Sequence, residues 1–337
     1  MSESIQPNSG SESIEKTTPA TPLGRTEIRI KGKNVYVPSV QIDGRTVITN
    51  GKWVKTAIVQ DEDLAEGEIV NNPVTFASSL ENSKLKADIL TFVQKLPEIQ
   101  PKHKYHQEWD NLAVIPITTF NEWWEKRVDP GARRAVRKAQ KSGVVVREVE
   151  FTDAFVQGIV GINNETPIRQ GKPFWHFQKA FEDVKAENFT YSERNIFLGA
   201  YLQDELIGYI RMTVVDNYVN IIQILSMMKH YDKRPANALI AKAVEIAEQK
   251  GFSHLVYCNY VYNDPNSSLT EFKRRNGFEK VLVPRYYIPL TLKGKIALSL
   301  GLHRGLVQCI PKPILLKLLK MREQWHQRRL KVAEGTV

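Results

Sequence analysis

The chain has little of what would narrow its chemistry at once. It holds only two cysteines, Cys258 and Cys309, in 337 residues. That excludes a disulfide framework and a cysteine-based metal site, and Cys258, inside an apolar strand pattern, reads as a reduced core thiol. The seven histidines have no metal-ligand spacing, so no metal is expected. No apolar run approaches the roughly 18 residues of a membrane span, and no apolar segment follows the polar N-terminus. A cytoplasmic protein is the expectation. Large apolar groups are scarce in residues 1–24, which are rich in Ser, Glu, Thr and Pro, so disorder is expected there. No internal repeat is visible at periods of roughly 20–50 residues.

What is present is an ordinary globular composition, 42% hydrophobic and 25% charged, with enough length for two modest domains or one large one. The net charge of +10 is uneven. From Thr291 to Val337 ten Lys and Arg face only Glu323 and Glu334, which leaves +8 in this tail and +2 in everything before it. Such asymmetry points to an anionic surface or polymer.

Short alternating segments between Glu27 and Val70 predict small β-structure, and Leu85–Leu96 predicts a helix closed by Pro97. Asn111–Pro116 predicts a buried strand, and Thr118 or Thr119 a cap for the helix with Trp123 and Trp124. Helix Ala132–Ser142 ends at Gly143, strand Val144–Val149 follows, then helix Phe151–Asn163 and a polar loop over Thr166–Trp175. Ile196–Leu202, Leu206–Val215 and Tyr218–Met227, split by tight turns, predict an antiparallel meander. Helix Ala236–Lys250, strand His254–Tyr260 and helix Leu269–Asn276 come next, the last with Ser268 and Glu271 spaced as a capping box. Strand Lys280–Leu290 carries Pro284 and Pro289, which predicts an edge or irregular strand.

Three segments carry candidate chemistry. The loop Lys233-Arg234-Pro235-Ala236-Asn237-Ala238 opens a helix, where bare N–H groups and the positive helix end suit a phosphate or pyrophosphate. Helix 132–142 puts Arg134, Arg137, Lys138 and Lys141 on one face. With Arg133 that makes five cations and no acid, so either solvent screens them or they meet phosphate or nucleic acid. The loop from Asn163 to His176 combines Glu165, Arg169, Lys172, Phe174 and Trp175. There Glu165 can deprotonate an ammonium, Arg169 or Lys172 can hold an anion, and Trp175 offers a stacking wall or simply packs on the core.

The order from Val144 to Leu290 resembles the GNAT acyltransferase superfamily. The loop of that family, Gln/Arg-x-x-Gly-x-Gly/Ala, stands here as Lys233-x-x-Ala236-x-Ala238. Asn263 and Asn266 follow the next strand, and the last helix runs Phe272-Lys273-Arg274-Arg275-Asn276-Gly277-Phe278. Alanines replace both glycines, and Pro235 lacks an N–H while suiting a helix start. The basic helix with its strand, and the segment from Glu271 to Tyr287, are similar to Fem-type peptidyltransferases. Those are tandem GNAT proteins that use aminoacyl-tRNA to extend a peptidoglycan precursor. No clear first GNAT domain shows in the N-terminal half.

The resemblance implies an α/β fold: a mixed, mostly antiparallel GNAT-like sheet flanked by helices. It divides the chain into a disordered 1–24, an N-terminal α/β portion at 25–143 that reads as a reduced second lobe, an acyltransferase domain at 144–290 and a basic amphipathic helical tail at 291–337. It implies an N-acyltransferase that moves an acyl or aminoacyl group from acyl-CoA or aminoacyl-tRNA to an amine, on a cell-envelope glycan or peptide precursor. Donor binding falls to Met227, Met228, Lys233, Arg234, Ala236, Asn237, Ala238, Asn266 and Phe272. Oxyanion donation falls to a backbone N–H within Leu225–Met228, acid chemistry to Tyr260 or Tyr262, and base chemistry to Glu165 or His230. Arg169, Lys172 and Trp175 would shape the acceptor site. The tail, with Trp325, suits the inner face of an anionic membrane. The competing expectation is a non-catalytic adaptor on a decayed GNAT fold that contacts RNA or membrane.

Overall fold

The computed structural model describes residues 23–30, 33–169, 172–262 and 264–304. Its N-terminal part begins as a meander of β1 (Gly24–Ile30), β2 (Lys33–Ile42) and β3 (Arg45–Asn50), followed by β4 (Thr56–Val59). Asp43 and Gly44 both take positive φ at the β2–β3 turn, the geometry that matches strand twist in a two-residue hairpin. Helix α1 (Pro73–Glu81) starts where the Asn72 side chain accepts from the N–H groups of Val74 and Thr75, with Pro73 in the first turn.

The expected helix at Leu85–Leu96 is instead β5 (Ile89–Val93). The run Ile-Leu-Thr-Phe-Val is short, apolar and buried at Ile89, Leu90, Thr91 and Phe92. A strand covered on both faces reads as a continuous apolar run, which helical periodicity mimics over so few residues. Phe92 and Leu90 pack with Phe76 and Leu80 of α1 in a separate core cluster under this half of the sheet.

β6 (His106–Pro116) leads to the short helix α2 (Phe120–Glu122), where Thr119 Oγ1 accepts from Glu122 N at 3.1 Å, and on through a π turn over Trp123–Arg127. Then come α3 (Pro130–Lys141), β7 (Val144–Val149), α4 (Asp153–Asn164) and the two-residue strands β8 (Ile168–Arg169) and β9 (Lys172–Pro173). Helix α5 (Phe181–Phe189) precedes β10 (Asn195–Leu202), β11 (Glu205–Val215) and β12 (Tyr218–Ser226), which form the expected antiparallel meander. α6 (Pro235–Gln249), β13 (His254–Asn259), α7 (Ser268–Arg275), β14 (Glu279–Pro289) and α8 (Leu292–Ser299) complete the order. The cap of α7 is Ser267, one residue before the expected Ser268, and its side chain accepts from Thr270 N. Gly277 ends that helix at φ +79, and a Cβ there would lie 2.9 Å from Trp123 Nε1.

Twelve strands form one sheet in the order β1-β2-β3-β4-β5-β14-β6-β13-β12-β11-β10-β7. β14 is therefore central, so of the edge or irregular strand its prolines predict the edge alternative fails. Pro284 sits where pairing with β5 ends, and its carbonyl still accepts from Gln94 N at 2.8 Å. A residue's N and O point to the same side of an extended strand, so the missing N–H of Pro284 falls beyond the β5 ladder. β6, from before residue 144, lies between β13 and β14 and hydrogen-bonds both. Helices α4 and α6 cover the β10–β12 face, with Phe155, Ile159, Ile162, Leu239, Ile240 and Val244 in the main core. α8 buries Ala297 and Leu298 against Ile89 and exposes Leu292, Ile296 and Leu300. The rest of the expected tail, with Trp325, lies outside the described residues, as do residues 1–22. Among the described residues no helix is long and apolar enough to cross a membrane.

Candidate active site

β12 and β13 are parallel neighbours but pair only at Val219–Leu255 and Asn220–Val256. Beyond that they part, and the N-terminus of α6 stands at the opening. The gap holds a cavity of about 670 Å³ lined by Ile224, Leu225 and Ser226, by Tyr257, and by Phe174, Trp175 and Phe272. Arg234, Asn237, Ser268 and Phe272 line both this cavity and an adjoining groove of about 520 Å³. That groove runs between α3, α6 and α7, with Arg134, Lys138 and Arg275 on its walls and Glu271 as its one lining carboxylate. Glu271 is held by Arg275 at 2.6 Å and Arg274 at 2.7 Å, which keep it at about 2. Among the described residues Arg134, Lys138 and Arg234 have no carboxylate partner.

The α6 loop offers fewer amides than its position suggests. Arg234 takes a left-handed conformation at φ 59 and its N–H goes to Tyr231 O. Pro235 has none, and those of Asn237 and Ala238 turn back to Arg234 O. Ala236 and Asn237 line the cavity, whereas Ala238 is buried in the core. Asn237 Nδ2 donates to Asn276 Oδ1 at 3.0 Å, and Asn276 Nδ2 to Phe272 O at 2.7 Å, so the loop is latched to α7. Lys233 lies against Asp232.

Glu165 is engaged. Its two oxygens accept from Met228 N at 2.6 Å and Lys229 N at 2.7 Å, with Arg169 Nη2 at 3.4 Å. Arg169 also donates to Ser226 O at 3.0 Å and Ile162 O at 3.2 Å and stacks over Phe174. The pair braces the loop, with Arg169 on the cavity wall. Trp175 joins that wall, 52% exposed, with Lys179 over its ring. Lys172 stands in β9 opposite Arg169.

Met227 N donates to Ile207 O, so it faces β11. Ser226 O faces the gap through its bond to Arg169, and by strand alternation the Ser226 N–H faces the gap too. Within Leu225–Met228, Ser226 is the amide so placed. His230 pairs with Glu205 at 3.2 Å, away from the lining of either space. Tyr260, through its backbone N–H to Asn111 O, and Asn266, bonded to Asp264, also stand off the lining.

Lys273 was hidden in a basic run. It is fully buried, with Nζ 2.5 Å from Asn259 O and over the rings of Tyr257 and Tyr262. Burial depresses its ammonium to about 8. Its neighbours Arg274 and Arg275 are exposed, so helical phase alone separates them. Beside it Cys258 takes φ +45 at a bulge in β13, a strained conformation for a non-glycine residue.

The acetyltransferase (GNAT) family model matches residues 164–278, from the end of α4 to the turn after α7. Residues 164–278 thus match a GNAT acyltransferase domain. The splayed strands, the helix at their opening and the Asn276–Phe278 turn all lie in that stretch. The GNAT fold likeness runs further. FemX superposes with a TM-score of 0.51 at 10% identity, over 82% of this chain and 90% of that one. L-PGS from Bacillus licheniformis gives 0.48 at 11%, over 76% and 85%. A tandem GNAT protein from the clavulanic acid biosynthesis pathway gives 0.42 at 12%, over 82% and 85%. No curated protein sequence matches the chain. As a match to the acetyltransferase (GNAT) family, the domain has an acyl donor and an amine acceptor as its general partners.

Proposed function

We propose that the protein transfers an aminoacyl group from the 3′ end of an RNA to an amine. The observation that carries this is the union of two spaces at Arg234, Asn237 and Phe272. An apolar, aromatic-walled cavity suits a side chain and its ester, and the groove of unpaired Arg134, Lys138 and Arg234 suits several phosphates in succession. Acyl-CoA would use the same cavity, but its pyrophosphate would meet a loop in which the Arg234, Asn237 and Ala238 amides are bonded inward and Pro235 has none, which leaves the Ala236 N–H.

The amine nitrogen attacks the ester carbonyl, and a tetrahedral oxyanion forms. The Ser226 N–H facing the gap is the donor for it. The ester C–O bond then breaks, the nitrogen sheds one proton, and the ribose oxygen leaves with that proton as a hydroxyl. The buried charge of Lys273, behind Tyr257, offsets the negative charge that moves across the site. The Fem-type resemblance favours an acceptor amine on a cell-envelope precursor. The exposed Leu292, Ile296 and Leu300, at the start of a segment carrying +8, would rest on the anionic inner face of the membrane.

Bulk tRNA charged with labelled amino acids should bind in filter retention, more weakly as salt rises, and acetyl-CoA should leave the melting temperature unchanged. Stabilisation by acetyl-CoA without RNA retention would replace the donor with CoA. RNA retention without transfer to any amine would leave an RNA-binding adaptor.

A further inference from the structure

Two places outside the donor site gather titratable side chains. One is a cavity of about 400 Å³ behind β13, lined by Glu62, Asp63 and Asp110, where Arg285 pairs with Glu62 and Asp110. The other lies where the turn after α8 meets the start of β6. Gly301 takes φ +68, and the 3₁₀ turn Leu302–Arg304 then lays His303 on the sheet. His106 and Glu108 are alternate residues of β6 and share a face, and Tyr287 of β14 pairs with His106. The His303 ring stands edge-on to His106 at 5.5 Å and to Tyr287 at 4.8 Å. Three groups converge on Glu108 Oε1: His303 Nε2 at 2.6 Å, Arg304 Nε at 2.8 Å and His106 Nε2 at 3.8 Å. His106 Nε2 closes no hydrogen bond among the described residues. The side chain of His303 is only 1% exposed, and its buried Nδ1 has no partner. Protonating that ring to pair with Glu108 would strand a charged N–H in the interior, whereas a metal ion takes Nε2 from a neutral ring.

We propose that His106, Glu108 and His303 bind one divalent transition metal of the zinc type, which clasps the turn after α8 onto β6. Two imidazoles and a carboxylate suit zinc, while calcium and magnesium prefer oxygen ligands alone. One ligand atom from each residue lies within 4.8 Å of the other two. Ligands about 2.1 Å from a tetrahedral zinc stand roughly 3.4 Å apart, so shifts of about 1 Å close the site. Arg304, 53% exposed, gives up Glu108 to the ion and turns to solvent. Water takes the fourth position on the side of His106, which is 43% exposed. The ion is structural, since none of the three side chains lines the donor cavity or its groove. No local spacing announces the site, because His303 and Glu108 stand 195 residues apart.

The test uses the full chain stripped with chelator. Co²⁺, whose visible absorption reports low coordination number, should give a band that saturates at one equivalent and that Zn²⁺ abolishes. Zn²⁺ at a hundredfold excess over its Kd should raise the melting temperature by about 4 °C, and Mg²⁺ should not. H106A removes a ring without a hydrogen bond, so it should melt like the unsubstituted chain when metal is absent. It should bind Zn²⁺ at least about 100-fold more weakly. R304A removes the competing cation and should bind Zn²⁺ more tightly. H303A is the harsher variant, because that ring is buried. Absence of the band, a shift that grows over many equivalents, or an equal Zn²⁺ shift in H106A would overturn the site and leave His303, Glu108 and Arg304 as a plain ion-pair cluster. tRNA retention should be the same with and without the metal, and retention that needs it would overturn the structural role.

Discussion

At the scale of single residues, Lys273 ties function to stability. Below about pH 8 the native and unfolded chains both bind its proton, and the burial penalty, on the order of 3 kcal/mol, is fully present. Between about 8 and the ordinary lysine range the unfolded chain keeps a proton that the native chain sheds. Stability therefore rises with pH through that window on this account. In K273M, whose methionine fits between Tyr257 and Tyr262, the rise should vanish in pH-dependent urea melts, and stability at pH 7 should hold or increase. Transfer should fall by about 100-fold, as for loss of a charge-stabilising group. Glu165 makes the opposite case. Both its oxygens accept backbone N–H groups, and a glutamine can keep one of them. E165Q should lose some stability and less than about tenfold in kcat, with the acidic limb of the pH–rate profile in place. Disappearance of that limb would make Glu165 the base. None of this is visible in the string of residues. Lys273 reads as one of three successive cations, and Glu165 as a loop acid, until the fold shows which way each points.

At the scale of elements, α3 and α6 matter most. The basic face of α3 was legible because its cations recur at helical spacing without an acid. What the sequence did not show is that the same face borders the donor cavity through Arg234 and Phe272. R134E/K138E should leave the melting temperature within about 1 °C, because neither side chain has a carboxylate partner to lose. It should weaken tRNA retention and lower the slope of log affinity against log salt by about 1.4 for the two phosphate contacts removed. An unchanged slope would take the RNA off this groove. The meander, α6 and α7 were readable for a plain reason: their periods are regular and Asp-Asn or Gly residues punctuate them. β5 was not, since five apolar residues carry no period of their own. α1 was missed because, after Pro73, only Phe76, Ala77 and Leu80 mark its buried side.

At the scale of the molecule, the sheet does not stop at residue 144. β6 fills the place between β13 and β14, and without it both would present open ladders over apolar faces. A fragment of residues 144–290 should therefore be unfolded or aggregated by circular dichroism and light scattering, while the full chain unfolds cooperatively. A soluble, folded 144–290 fragment would make the C-terminal portion self-sufficient. This long-range pairing was beyond sequence reading, because nothing local in β6 or β14 specifies its partner. The same arrangement gives the cavity behind β13 its acids: Glu62 and Asp63 come from the N-terminal part and meet Asn220 and Cys258 only across the sheet.

The central claim is transfer from an RNA ester through this gap. Its most direct test is a single-turnover assay with tRNA carrying labelled amino acids, n-butylamine as surrogate acceptor and acetyl-CoA in a parallel reaction. The account predicts labelled aminoacyl-butylamide from the RNA, little product from acetyl-CoA, and loss of product in both K273M and R134E/K138E. Acetyl-butylamide formed from CoA, with the charged tRNA left intact, would contradict it.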